Sequence, residues 1–231
     1  MKKRIAALAA TAAVLAFGSA AQASVTIDVL GSANPFDAGH PAASDGGAGA
    51  VLATSSLVVG QSLTFSATGS TNNAGSPPSG TPDGGGDFGM SDRNSIAGAV
   101  IALNSLVGVF LDDTEPTGSA PGDMDYSGGY SFSQSSPGLR QVFYIGDGLT
   151  GTGSGSAQQF FVPTSATRLF LGSTDGGGWY NNTGSFSVTI DGAGLAGDVS
   201  AVPEPASWAL MICGIFGAGA MVRRRRGLVP A

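Results

Sequence analysis

Two segments of the chain are largely apolar, Ile5 to Phe17 and Ala206 to Val222, and neither contains a charged residue. Between them the pattern changes. Short apolar and β-branched runs alternate with clusters of Gly, Ser, Asp and Asn. Ser62-Leu63-Thr64-Phe65-Ser66 and Ser185-Phe186-Ser187-Val188-Thr189-Ile190 alternate polar and apolar side chains with period two, the signature of a strand with one buried face. Strands are predicted at 25–30, 51–59, 62–68, 99–111, 140–145, 160–162, 168–171 and 185–190. No part of this middle region has a helical period. Many short strands with glycine-rich connections predict an all-β domain, a single antiparallel β-sandwich of jelly-roll kind, spanning residues 24–201. The stretches 34–49, 69–89 and 114–138 carry the weakest pattern. The Pro-rich run 76–82 is incompatible with a central strand.

The N-terminal apolar segment has the flanks of a secretory signal peptide over residues 1–23. Lys2, Lys3 and Arg4 precede it, and Ala21-Gln22-Ala23 is a small-x-small cleavage site after which Ser24 becomes the first residue. This order of parts implies the secretion machinery and signal peptidase as partners. The C-terminal segment, 206–222, makes a helix about 25 Å long at 1.5 Å per residue, the short end of the spanning range. Trp208 sits near its outer end as an interfacial anchor, and Arg223, Arg224, Arg225 and Arg226 follow it directly. By the positive-inside rule those arginines and the end 227–231 stay in the cytoplasm, which places the domain outside.

Immediately before that helix stands Val202-Pro203-Glu204-Pro205. Pro-Glu-Pro, an apolar helix and a basic cluster, in that order over 202–226, resemble the PEP-CTERM sorting signal of Gram-negative bacteria. The resemblance implies exosortase as a partner, cleavage near Pro203-Glu204-Pro205, and transit through the inner membrane to the cell surface or the extracellular space.

Charge narrows the function of the middle region. Residues 24–202 hold fourteen Asp and one Glu against only Arg93, Arg140 and Arg168, a balance of −12, with no lysine. Such a surface disfavours nucleic acid, which is bound by neutralising phosphates, and suits hard cations, which prefer oxygen ligands. The one cysteine, Cys213, lies in the apolar tail, so the domain has neither a disulfide nor a cysteine nucleophile. The one histidine, His40, lies in a Pro/Gly loop far from any Gly-x-Ser-x-Gly context, and there is no histidine cluster for zinc. The chain reads as a non-enzyme.

One cluster has the composition of an ion site: Asp175-Gly176-Gly177-Gly178-Trp179-Tyr180-Asn181-Asn182, between the strands predicted at 168–171 and 185–190. Calcium takes six to eight oxygens from carboxylates, amides and backbone carbonyls, and this loop offers all three. Asp, Gly and Asn are also the commonest turn formers, so on composition alone a decorated hairpin turn is the better reading. Trp179 and Tyr180 either stack on a sugar ring or pack against the domain edge. Asp112, Asp113 and Glu115, the pair Asp123 and Asp125, and the Asp83–Asp87 run read as solvated turns, with a second ion site or a general acid and base as the other reading.

The residues around that loop carry a second resemblance. Leu169-Phe170-Leu171-Gly172-Ser173-Thr174-Asp175, followed by Asn181-Asn182-Thr183-Gly184-Ser185-Phe186-Ser187-Val188, is similar to the last two strands of the calcium-dependent galactophilic lectins of bacteria. The resemblance implies a β-sandwich in which Asp175, Asn181 and Asn182 bind calcium through their side chains. The backbone carbonyl near Asn73 joins them, and the ion holds sugar hydroxyls. The loop is one residue shorter than in the best-known lectins, and their sugar-contacting His and Gln have no counterpart at 81–90. The expectation is therefore a calcium-stabilised binding module at the cell surface, with envelope or matrix polysaccharide as its ligand. The alternative is a structural surface or biofilm-matrix protein without a specific ligand.

Overall fold

The computed structural model describes residues Ser24 to Gly192. The expected signal peptide with Ala21 and Ala23, the Pro203-Glu204-Pro205 motif, the 206–222 span and Arg223–Arg226 lie outside the described residues. Among the described residues, no helix is long and apolar enough to cross a membrane.

The described region is all-β, interrupted only by two single-turn 3₁₀ segments, Pro35–Asp37 and Trp179–Asn181. The largest sheet has five strands in the order Ser24–Leu30, Thr183–Gly192, Ser62–Asn72, Gln159–Phe161, Gln134–Ser135. Its centre is the antiparallel pair Thr183–Gly192 and Ser62–Asn72, in unbroken register from Thr183 opposite Asn72 to Gly192 opposite Leu63. On the other side, Ser24–Leu30 pairs with the same strand from Ser24 opposite Asp191 to Leu30 opposite Ser185. The second sheet has four antiparallel strands, Val142–Tyr144, Leu106–Leu111, Arg168–Ser173 and Val51–Thr54. A third sheet joins Gly85–Met90, Ala99–Leu103 and Met124–Asp125.

Side-chain alternation explains how these sheets share their cores. In the five-stranded sheet, Phe186, Val188 and Ile190 point inward beside Leu63, Phe65 and Ala67, while Ser185 and Ser187 face solvent. They join Leu106, Phe110, Leu169 and Leu171 of the four-stranded sheet in one apolar cluster. The opposite face of that second sheet is also apolar. Val107, Val109, Leu111 and Phe170 form a second cluster with Ile101 and Ala99 of the third sheet, Phe36 and Trp179. All six residues of Leu106–Leu111 are buried, which is why this strand reads as a continuous apolar run rather than as an alternation. Gly108 lies in its middle, where a Cβ would meet the Phe143 ring at 2.4 Å. The absent side chain lets Phe143 stack against Phe110 with centroids 4.9 Å apart.

Several predicted boundaries are corrected. The single strand expected over 99–111 is two, because Asn104 takes a left-handed conformation at φ 61° and turns the chain. The run expected to end at 68 continues to Asn72, and the stretch 85–90, expected to be loop, is a strand. The strand expected over 51–59 stops at Thr54. In the weakly patterned stretch 34–49, Pro35, Phe36 and Asp37 are buried, so this segment belongs to the core.

Candidate metal-binding loop

The Asp175–Asn182 loop leaves the four-stranded sheet after Ser173 and enters the five-stranded sheet at Thr183. Its first residue is fixed from beneath. Thr174 is fully buried, donates its hydroxyl to the Ala102 carbonyl at 2.6 Å, and accepts from the Ser105 amide at 2.8 Å. Asp175 follows with 5% of its surface exposed. Its Oδ1 accepts from the Gly177 amide at 3.3 Å, a local turn contact, while its buried Oδ2 has no hydrogen-bond partner. Gly178, at φ 83°, makes the left-handed step that opens the Trp179–Asn181 turn, a conformation costly for a residue with a Cβ. The turn is closed by the Asn181 amide on the Gly178 carbonyl and the Asn182 amide on the Trp179 carbonyl.

The loop ends on two amides, each tied to a different neighbouring segment. Asn182 donates its Nδ2 to the Gly31 carbonyl at 3.0 Å, and its buried Oδ1 is left without a partner. Asn181 Oδ1 accepts from the Ala74 amide at 3.1 Å, and the neighbouring Asn73 accepts from Asn104 Nδ2 at 3.5 Å. The fold therefore connects Asp175, Asn181 and Asn182 within one loop and sets the Asn73–Ala74 backbone against Asn181.

A buried carboxylate oxygen or amide carbonyl without a donor costs about 1–3 kcal/mol, more for the charged group. Six buried side-chain atoms in the described region lack a partner, and two of them, Asp175 Oδ2 and Asn182 Oδ1, flank this one loop. Both are acceptors, both are hard oxygens, and in each case the remaining polar atom of the side chain is already committed. Asn181 Oδ1 and the carbonyls hold further lone pairs. The donor set suits a hard cation and not zinc, which selects sulfur and imidazole. Among the described residues no three His, Cys, Asp or Glu side chains group together. A site here would hold one carboxylate and otherwise amide and backbone oxygen.

The aromatic pair divides. Trp179 is fully buried, donates Nε1 to the Ser173 carbonyl at 2.9 Å, and meets Phe36 edge-on at 6.0 Å. Its ring is core and is not available for stacking on a ligand, which corrects the binding role considered for it. Tyr180 is 66% exposed and remains on the surface of the loop.

Two residues that the sequence pattern did not single out hold the loop from outside. Asp45 Oδ2 accepts from the Trp179 amide at 2.9 Å, and its Oδ1 accepts from Gly47 at 3.1 Å. Arg93 donates Nη2 to the Gly176 carbonyl at 2.8 Å and lies over the Trp179 ring, 5.3 Å from its centroid. Asp45 is one of many Asp-Gly pairs, so nothing marked it. Arg93 was visible only as one of three bases in an acidic domain.

The other acidic residues of the loops cap turns or pair with neighbouring side chains. Asp112 caps Thr114 through both backbone and hydroxyl, and the hydroxyl bond first of all holds its carboxyl below the usual range. Asp125 caps Ser127, whose amide lowers the carboxyl likewise. Asp123 is pushed up, by burial first and by neighbouring Asp92 second. Asp113 accepts from the Thr167 hydroxyl, and Glu115 meets His40 Nδ1 at 2.9 Å. Asp83 accepts from the Tyr144 hydroxyl and the Asp147 amide, and Asp87 accepts from the Tyr130 hydroxyl. Burial is the first cause raising Tyr126 to about 12 and Tyr144 and Tyr130 higher still.

No known protein-family model matches this chain, and no curated protein matches it.

Proposed function

We propose that this chain is an exported protein, sorted by exosortase, whose two larger sheets form a β-sandwich carrying a calcium loop at one end. The loop is a binding module for envelope or matrix carbohydrate at the cell surface. The observation that carries the reading is the pair of buried, unpartnered oxygens, Asp175 Oδ2 and Asn182 Oδ1, on the two residues that border the loop. Calcium supplies what both lack, and Asn181 and the carbonyl near Asn73 complete the oxygen set. Sugar hydroxyls then take the open positions on the ion beside exposed Tyr180. Signal peptide, membrane span and Pro203-Glu204-Pro205 rest on sequence alone and supply the route.

Titration calorimetry of the full chain in mild detergent tests the loop. One calcium should bind per chain, and Asp175→Ala and Asn182→Ala should each abolish or strongly weaken it. Absence of calcium binding by the parent protein, or unchanged binding by both variants, would remove the reading. The alternative is a surface or matrix protein without a specific ligand. It draws support from the 81–90 segment, where Asp83 and Asp87 are tied to tyrosines rather than set beside the loop. Calcium-dependent, saturable binding on a glycan array would exclude it.

A further inference from the structure

Three arginines are the only strong bases between residues 24 and 192, and two of them are consumed by the fold. Arg140 donates Nη1 to the carbonyls of Ser95, Thr117 and Ser119. Arg168 donates Nε to Asp112 and Nη2 to Thr114 and lies over Phe170. Arg93 is different. Among the described residues its side chain makes one hydrogen bond, to Gly176, and no ion pair. Four of the five guanidinium N–H groups are left over.

Its position is built rather than incidental. Asn94 and Ser95 both have positive φ, 51° and 64°, so Arg93 and Ile96 face each other across a tight two-residue turn. Asn94 ties that turn down by donating Nδ2 to the Phe36 carbonyl and to Asp37 Oδ1. The guanidinium rests on Trp179 and Phe36 and reaches the outer side of the glycine loop, where a Cβ on Gly177 would lie 3.4 Å from Nη2. Acids of neighbouring segments accept hydrogen bonds elsewhere: Asp92 from Gly98, Asp37 through Oδ1 from Ser44 and Asn94, and Asp45 from Gly47 and Trp179.

We infer that the ligand of this loop is an acidic sugar, a uronate whose carboxylate is taken by Arg93 while its hydroxyls reach the calcium. The inference rests on the calcium reading of the loop. A divalent ion neutralised by the single carboxylate of Asp175 keeps a net positive charge, and Arg93 adds another close by. Two like charges side by side repel, and an anion between them converts that repulsion into attraction. The planar guanidinium matches a carboxylate by a pair of parallel N–H···O bonds, which a neutral sugar cannot supply. On a domain of charge −12, this is where a negative polymer finds a local welcome.

The test compares trigalacturonate, too short to gel with calcium, with a neutral galactose trisaccharide. Each is titrated into the full chain with calcium and with chelator. Calcium dependence separates the loop from the Arg223–Arg226 cluster, whose attraction for anions needs no metal. The parent protein should bind trigalacturonate at least about tenfold more tightly than the neutral sugar, and only with calcium. Arg93→Gln should erase that preference, costing far more affinity for trigalacturonate than for calcium or the neutral sugar, and Arg93→Lys should fall between them. The near-ultraviolet circular dichroism of buried Trp179 checks that each variant keeps its packing. Equal affinity for the two sugars overturns the inference, as does binding of neither. So does an Arg93→Gln variant that loses calcium and both sugars alike, which would make the residue a loop clamp. In these cases calcium binding by the parent still stands on its own. If the parent binds no calcium, the loop reading fails and this inference fails with it.

Discussion

The Asp45 carboxylate accepts the backbone N–H of Trp179 at 2.9 Å across 134 residues of chain. A loop from the beginning of the domain thus holds the turn that sets Asn181 and Asn182. Removing the carboxylate leaves a main-chain donor without its partner, which costs about 1–3 kcal/mol. Asp45→Ala should lower stability by that amount in denaturant unfolding and weaken calcium binding in calorimetry. Asp28→Ala, on the exposed side of the edge strand, should do neither.

Asp175 gives a prediction in which two effects have opposite signs. Without metal, its buried and half-unpartnered charge opposes folding, so Asp175→Asn should leave the metal-free protein as stable as the parent or more so. With calcium the order reverses. The parent gains about 2.7 kcal/mol when free calcium is a hundred times the dissociation constant, and the variant gains little. Thermal melts of both proteins in chelator and in calcium should show the two curves crossing in rank. Loss of stability by the variant in chelator alone would indicate that the carboxylate is held by the fold itself.

The alkaline limit of the fold follows from three tyrosines. Tyr126, Tyr130 and Tyr144 pack against one another, and Tyr126 accepts the Tyr144 amide at 3.1 Å. Burial favours the neutral phenol, so each folded-state pKa lies above the unfolded value near 10. Such a group contributes its full stability below pH 10 and loses it as pH rises through the folded value, about 12 for Tyr126. Stability should therefore decline above about pH 10. Phenolate absorbance from these three residues should appear together with loss of the β signal in circular dichroism, not before it. Tyr126→Phe should shift that transition.

Gly108 tests the cross-strand packing of Phe143 within the four-stranded sheet. A Cβ at this position would press into the Phe143 ring, with three ring atoms at 2.4 to 2.9 Å. Gly108→Ala should destabilise by about 1–3 kcal/mol, in the range of overpacked cores. Phe143→Leu, which shrinks the opposing side chain, should recover part of the loss when combined with it. Simple additivity of the two changes would argue against direct contact.

The places where the sequence pattern succeeded and failed have physical causes. Ser185–Ile190 and Ser62–Ser66 were readable because one face is wet and the other dry, which writes the period directly into the residues. Gly85–Met90 was not, since three of its six residues are glycines and only Met90 is buried. It is a strand because its backbone pairs with Ala99–Leu103. The break at Asn104 was hidden inside an apolar run, and only its positive φ reveals it. At the loop, the run from Asp175 to Asn182 stood out in the sequence, and its oxygens are the ones proposed to hold calcium. Asp45 and Arg93 did not stand out, because nothing in a linear reading brings residues 45 and 93 beside residue 179. The burial of Trp179 was equally invisible, since an aromatic beside glycines fits a recognition surface as well as a core.

The register of the strand Thr183–Gly192 carries a consequence for how the domain meets its surroundings. The candidate loop enters that strand at Thr183, and the chain runs onward from Gly192, the last of its ten residues. At about 3.4 Å per residue the two points are roughly 30 Å apart. Ser24, across from Asp191, lies at the same end as the exit. Both covalent leads of the domain therefore emerge from one pole, and the loop occupies the other.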